Sequence, residues 1–145
     1  MTVRDHQRSR VYAWEDRHVA VHNLGEIGFG AAQGVVDAIW SEMGLLYPPR
    51  VKPLPTGVRS CLADADRLTL RLPSSTPSWV LLHEIAHAMA SDHDGSSDGH
   101  GSVFMALYLR LLGRYLRFDE AALCASATED GLRVATEARP IFVRP

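Results

Sequence analysis

The sequence contains no long apolar run. Its first ten residues, MTVRDHQRSR, are mostly polar and hold nothing like the hydrophobic core of a signal peptide. No later stretch reaches the roughly 20 apolar residues that a membrane-spanning helix needs. Only two cysteines are present, Cys61 and Cys124, far apart and without the spacing of metal ligands. We therefore expect a cytoplasmic protein whose cysteines are small core residues rather than a disulfide.

The sequence also lacks a large excess of either positive or negative charge. Fifteen Lys and Arg stand against 17 Asp and Glu, and the formal charge is −2. Such a balance gives no whole-molecule attraction to nucleic acid or to an anionic membrane. The one noticeable basic cluster is Arg4, Arg8 and Arg10, and arginines in a polar N-terminal arm are more often solvated than binding groups. The sequence thus makes no strong case for a nucleic-acid partner and none for a membrane.

The remaining composition is that of an ordinary globular protein, with 46% hydrophobic and 22% charged residues in a chain of 145. This length supports one domain with a real core, whereas two independent cores would each be marginal. No internal repeat or low-complexity tract divides the chain. We therefore predict a single domain over residues 1–145.

Apolar periodicity predicts most of the helices. Apolar residues recur at three- and four-residue steps from Ala31 to Met43 and again from Phe104 to Tyr115, and Asp119 to Ala127 is a shorter helical candidate. Hydroxyl groups from Ser74 to Ser78 and a proline near the first helical position predict another helix, which runs to about Ala90.

The strand signals are shorter. Alternation of leucine with polar residues from Arg67 to Leu72 predicts a half-buried strand. Val11–Trp14 and His18–His22 are β-prone runs that suggest an early hairpin. Four prolines between Tyr47 and Pro55 predict a connection without regular structure. The expected fold class is α+β, a small mixed or antiparallel sheet packed on one central helix with two or three others.

The helix that ends near Ala90 carries an H-E-x-x-H motif, from His83 to His87. Residues four apart are about 40° apart around a helix and one turn along it, so the two imidazoles can bind one ion. Glu84 lies on the adjoining flank, where a carboxylate can accept a proton from water activated by zinc. The alternative is that both histidines are ordinary surface or core residues.

A catalytic zinc requires a third protein ligand, and several side chains after the motif are candidates. His93 stands ten residues after the first histidine, as in H-E-x-x-H-x-x-G-x-x-H proteases, but Ala90 occupies the glycine position of that pattern. His100 lies in a Gly-flanked loop that can approach the motif helix closely, and it is favoured. Three aspartates of the same loop stay open as alternatives: Asp92, Asp94 and Asp98.

The run D-G-H-G-S-V-F at residues 98–104, together with the upstream motif, resembles the core of the SprT and Spartan group of zinc proteases. The similarity covers about residues 77–115 and extends to small bacterial and phage-encoded metallohydrolases. It implies a zincin-like fold, a Zn²⁺ cofactor, His100 as the third ligand and a hydrolytic activity. No Cys-rich ribbon or basic tail accompanies the core, so cleavage of DNA-linked proteins is not implied.

The predicted function is a zinc-dependent, metallopeptidase-like hydrolase of peptide or protein substrates, with His83, His87 and His100 as ligands and Glu84 as general base. Two alternatives remain: a zinc-binding regulatory or interaction module without catalysis, and a hydrolase of a non-peptide amide or ester. The Arg67–Leu72 strand is either an edge that pairs with extended substrate or an internal strand. Tyr108 and Tyr115 could stabilise an oxyanion, although their place on an apolar stripe favours core packing.

Overall fold

Residues 7–22, 24–55, 63–92 and 97–140 are described by the computed structural model, and these residues contain five α-helices and five short strands. The helices are α1 (Arg8–His18), α2 (Phe29–Glu42), α3 (Ser78–Ala90), α4 (Ser102–Leu116) and α5 (Glu120–Glu129). The strands are β1 (Glu26–Gly28), β2 (Arg50–Pro53), β3 (Asp64–Ala65), β4 (Thr69–Leu72) and β5 (Ser75–Pro77). A turn of 3-10 helix at Ala20–His22 follows α1.

The strands form two small sheets. β1 and β5 pair antiparallel, with Ile27 opposite Thr76. In the other sheet β4 is central, parallel to β2 on one side and antiparallel to β3 on the other. An exposed ion pair joins Arg71 of β4 to Asp64 of β3. The predicted α+β class and small mixed sheet are confirmed at this level.

Helix α3 is the centre of the molecule. Ten of its 13 residues are buried, and it packs on α4 and against β3, β4 and β5. A helix that is buried on nearly every face is typical of a core helix, and one contiguous apolar cluster surrounds it. His83 and Glu84 are nevertheless 5% and 6% exposed within that core. Because charged and titratable side chains are seldom buried without partners, their burial points to a special site.

The hairpin predicted from Val11–Trp14 and His18–His22 is wrong, since this segment forms α1 and the 3-10 turn. Val11 and Trp14 lie three residues apart and are both fully buried, as on one face of a helix. The indole Nε1 of Trp14 donates a hydrogen bond of 2.9 Å to the Ser126 hydroxyl of α5. Burial against neighbouring helices therefore outweighs the weak β preference of these side chains.

The connection predicted between Tyr47 and Pro55 contains strand β2. Pro53 is tolerated in β2 because β2 lies at the edge of its sheet among the described strands. A proline has no N–H to donate, and at an edge there is no second neighbouring strand that needs one. The strand predicted from Arg67 to Leu72 is confirmed as β4, but β4 is internal, with a neighbour on each side. The reading of it as a substrate-pairing edge is therefore wrong.

The helices predicted from the sequence are confirmed, but with α1 there are four helices beside α3 where two or three are expected. α2, α4 and α5 cover the expected apolar segments within three residues at each end. α3 begins directly after Pro77, but the expected hydroxyl cap is wrong, since no described side chain caps this helix and Ser75–Pro77 forms β5. Asp119 caps α5 by accepting a hydrogen bond of 3.0 Å from the Ala122 amide. None of the helices in the described part of the chain has the length and apolarity that crossing a bilayer requires.

Several side chains singled out in the sequence take ordinary structural places. Tyr108 is fully buried in the core, as the apolar stripe indicated. Tyr115 packs against the core more loosely, and its hydroxyl donates to Glu42 at 2.7 Å. Cys124 is half-buried and free, whereas Cys61 and Arg4 lie outside the described residues.

Candidate metal centre

Two histidines of α3 project from the same side of the helix, one turn apart. The Nε2 atoms of His83 and His87 are 3.1 Å from each other, as the four-residue spacing predicts. Both imidazoles pack on Phe104 of α4, with ring centroids 5.0 and 4.3 Å from the phenyl centroid. This packing restricts rotation of the rings and keeps the two Nε2 atoms directed toward one point.

The loop before α4 brings His100 to the same point, and two glycines make its path feasible. Gly99 has a φ of +63°, a conformation that residues with a side chain rarely adopt. A Cβ on Gly101 would overlap the carboxylate of Asp98. That carboxylate accepts hydrogen bonds of 2.8 and 3.3 Å from two backbone N–H groups in the first turn of α4, so Asp98 caps the helix.

The three imidazole nitrogens form a nearly equilateral triangle. The Nε2 of His100 is 3.2 Å from the Nε2 of His83 and 3.2 Å from that of His87. An ion about 2.05 Å from each nitrogen would have N–metal–N angles of about 100°, close to tetrahedral, with a fourth position open. The three residues could therefore hold a metal ion.

The chemistry of this donor set also fits a cation. The Nδ1 of His83 faces a carboxylate and keeps its proton, so in the neutral ring its Nε2 can only accept. His87 and His100 could both donate to that Nε2, but their own two Nε2–H groups would then face each other at 3.2 Å. Hydrogen bonds cannot satisfy all three pairs of neutral rings, whereas one central cation accepts a lone pair from each.

Burial and neighbouring charges shift the pKa values of His83 and His87 in opposite directions. Burial lowers the pKa of His87 well below its usual range, and the neighbouring charges of His83 and His100 act in the same direction. For His83, burial also lowers the pKa, but the hydrogen bond and charge of Glu15 and the charge of Glu84 outweigh it and leave the pKa raised. A metal ion would bind the lone pair of the His83 Nε2 and leave the Nδ1 proton in place on the Glu15 side.

Glu84 lies on the flank of α3 next to the histidine pair. Burial raises the pKa of its carboxyl group to about 7, with His83 lowering it and the charges of Asp64 and Glu15 raising it. Within the described ranges, no donor forms a hydrogen bond with this carboxylate. Glu84 is therefore a buried acid whose oxygens are not engaged in holding the fold together.

Glu15 of α1 is a site residue that the sequence analysis missed. Its Oε2 is 2.6 Å from the Nδ1 of His83 and also accepts a hydrogen bond of 2.7 Å from the Tyr108 hydroxyl. In the sequence it stands with Asp16 and Arg17 between the two β-prone runs from which the hairpin is predicted. The signal that could have found it is its spacing, one residue after Trp14 and four after Val11, on the buried side of a helix.

Two further residues near the N-terminus contact the centre. Gln7, which is 7% exposed, donates from its Nε2 to the His100 carbonyl at 2.9 Å, and its Oε1 accepts from the Arg133 amide at 2.6 Å. Tyr12 is 41% exposed, and its ring centroid lies 5.2 Å from the His100 ring and 6.2 Å from the His83 ring. Gln7 thus anchors the His100 loop, while Tyr12 lies at the accessible side of the rings.

Among the described residues, one candidate for the third ligand lies next to the histidine pair. His100 joins His83 and His87. Asp98 is used as a helix cap, and neither it nor Asp92 belongs to the metal-ligating cluster found among the described residues. His93 and Asp94 lie outside those residues.

Comparisons with known proteins add no relative to this picture: a scan against protein-family models, a search of curated proteins and a search of solved structures each find no match to the chain.

Proposed function

We propose that this protein is a zinc-dependent hydrolase of the metallopeptidase type, with a zincin-like core related in design to the SprT and Spartan group. The observation that carries the proposal is the convergence of three Nε2 atoms within 3.1 to 3.2 Å of one another. Two come from the H-E-x-x-H helix and one from the D-G-H-G loop. This arrangement supports the ligand set predicted from the sequence.

Zinc is the proposed ion because it binds imidazole nitrogen well and accepts tetrahedral geometry without an electronic penalty. When bound, Zn²⁺ lowers the pKa of a coordinated water to about 7 and can polarise a carbonyl group. His83, His87 and His100 supply the nitrogen ligands.

Glu84 is the proposed general base. Its carboxylate lies beside the histidine pair rather than among the ligands, so it can accept a proton from the attacking water and later deliver it to the leaving amine. A buried glutamate that is 6% exposed and whose carboxylate has no hydrogen-bond donor among the described protein residues is costly for folding. A regulatory or purely structural zinc module has no need of that cost, which favours the enzyme over this alternative.

The proposed substrate is a peptide or protein chain. Among the described strands, β3 lies at the edge of its sheet and packs against α3, close enough for the Asp64 charge to act on Glu84. An extended substrate would pair with this edge by main-chain hydrogen bonds, and such pairing tolerates many sequences. β3, rather than β4, is therefore the proposed substrate-pairing strand.

The decisive experiment compares wild type with Glu84→Gln on a fluorescently labelled casein. The variant should bind one zinc per chain with wild-type affinity and lose at least 100-fold in cleavage rate, since the amide cannot accept the proton. Glu137→Gln, the same replacement at an exposed position, is the matched control and should cleave normally. Equal cleavage by wild type and Glu84→Gln would refute the assignment of Glu84. Zinc binding without cleavage of casein or other amide and ester substrates would instead favour the interaction module.

A further inference from the structure

Helix α1 contributes a buried carboxylate to the histidine centre from a distant part of the sequence. Glu15 is 2% exposed and lies 68 residues before His83. A carboxylate buried in an apolar core is costly unless donors compensate it. The Glu15 Oε2 has two such partners, His83 at 2.6 Å and Tyr108 at 2.7 Å.

The contact with His83 determines which imidazole nitrogen is free. The Glu15 Oε2 accepts from the Tyr108 hydroxyl and, as an acceptor, also leaves the hydrogen on the Nδ1 of His83 and the lone pair on its Nε2. That Nε2 is the atom that faces His87 and His100. The distance of 2.6 Å is typical of a strong charge-assisted hydrogen bond, which also fixes the orientation of the ring.

Tyr108 fixes the carboxylate in turn. The tyrosine is fully buried on α4, its ring lies 5.3 Å from the His83 ring, and its hydroxyl has Glu15 as its acceptor. The three side chains come from α1, α3 and α4, so each is held by a different element of the core.

We propose that Glu15, held by Tyr108, is a positioning residue that sets the tautomer and orientation of His83 and so strengthens binding of a divalent metal at the three histidines. The proposal rests on the metal-binding part of the proposed function and not on the hydrolysis of any substrate. Partners of this kind, which touch a ligand but not the metal, commonly contribute 10- to 100-fold to metal affinity.

The test measures zinc affinity of the full-length protein at pH 7.5 by competition with a chromophoric chelator. Glu15→Gln should weaken zinc binding 10- to 100-fold, because its amide can donate as well as accept and no longer specifies the tautomer. Asp16→Asn is the matched control, since it removes the same charge at the next, exposed position of α1 and should bind within about twofold of wild type. Tyr108→Phe should cause a smaller loss, about three- to tenfold.

A second readout separates positioning from a merely structural role. Long-range ¹H–¹⁵N spectra of the metal-free protein should show His83 in one form, with hydrogen on Nδ1, in wild type and a mixture of tautomers in Glu15→Gln. Far-UV circular dichroism establishes that the variant is folded; if it is not, Tyr108→Phe decides, since it leaves the carboxylate and imidazole in place.

The outcomes are distinct for the two proposals. Wild-type zinc affinity in folded Glu15→Gln, or in Tyr108→Phe where that variant decides, overturns the proposal of a Glu15 held by Tyr108 that positions His83, and leaves the hydrolase intact. Weakened zinc binding in Glu15→Gln together with no hydrolysis by wild type supports the role of Glu15 and refutes the proposed hydrolase activity. A wild-type protein that binds no zinc overturns both.

Discussion

Replacing Glu84 with glutamine should stabilise the metal-free protein at pH 8. Burial raises the pKa of this carboxyl group from 4.5 to about 7. Between these values the folded state keeps a proton that the unfolded state releases, so the free energy of unfolding falls as the pH rises. Glutamine cannot ionise and escapes this loss.

The magnitude follows from the size of the shift. A difference of about 2.5 pKa units corresponds to about 3 kcal/mol at pH 8, where Glu84 is ionised in both states. At pH 5 the same linkage gives only about 1 kcal/mol, because the folded state is still protonated. For a domain of this size, the pH 8 figure corresponds to a melting temperature about 10 °C higher for the variant.

The assay is thermal and urea unfolding in the presence of a chelator, from pH 5 to pH 8, with wild type, Glu84→Gln and the exposed control Glu137→Gln. The advantage of Glu84→Gln over wild type should grow across this range, while that of Glu137→Gln should stay flat. A constant advantage, or a variant less stable than wild type at pH 8, would refute the reasoning that a buried, ionised Glu84 costs the fold stability.

Three other predictions concern the loop and the ion. Gly101→Ala should displace Asp98, weaken the cap of α4 by about 1 kcal/mol and lower zinc affinity. Its control, Gly34→Ala, lies at an open position in α2 and should raise the free energy of unfolding by up to about 1 kcal/mol in the same unfolding assay. His100→Ala should reduce zinc affinity at least 100-fold in a chelator competition and His93→Ala less than threefold; the reverse ranking would make His93 the third ligand. Free zinc at 100 times its Kd should stabilise wild type by about 2.7 kcal/mol, which calorimetry would detect as a rise of about 8 °C in Tm, and His87→Ala should abolish most of that rise.

The part of the centre that could be predicted is the part encoded locally. His83 and His87 converge because four residues make one helical turn, and this holds in any stable helix. His100 could be predicted because the glycines around it permit a close approach, and Gly99 indeed adopts a positive φ. Periodicity identified α2 and α4 since both bury an apolar face in the core.

The rest depends on contacts between distant segments, for which a single sequence carries little signal. Glu15 meets His83 across 68 residues, and its spacing from Val11 and Trp14 indicates burial only if the segment is known to be a helix. The sequence predicts strands in the segment of α1 because Val11 and Trp14 favour strands locally. The helix is stabilised instead by packing on α5, which the local sequence does not encode. The position of β4 within its sheet likewise depends on which strands join it, and local alternation cannot encode that choice.

The side-chain amide of Gln7 has a consequence for the order in which the protein matures during synthesis. It joins the His100 carbonyl, 93 residues away, to the Arg133 amide, 126 residues away. A nascent chain that has emerged through His100 carries all three histidines, yet the loop that aims the third is not tied down until residue 133 has left the ribosome. Such long-range closure is slow compared with the formation of a helix. On the proposed function, the third histidine would be fixed in place only after the segment around residue 133 has joined the fold.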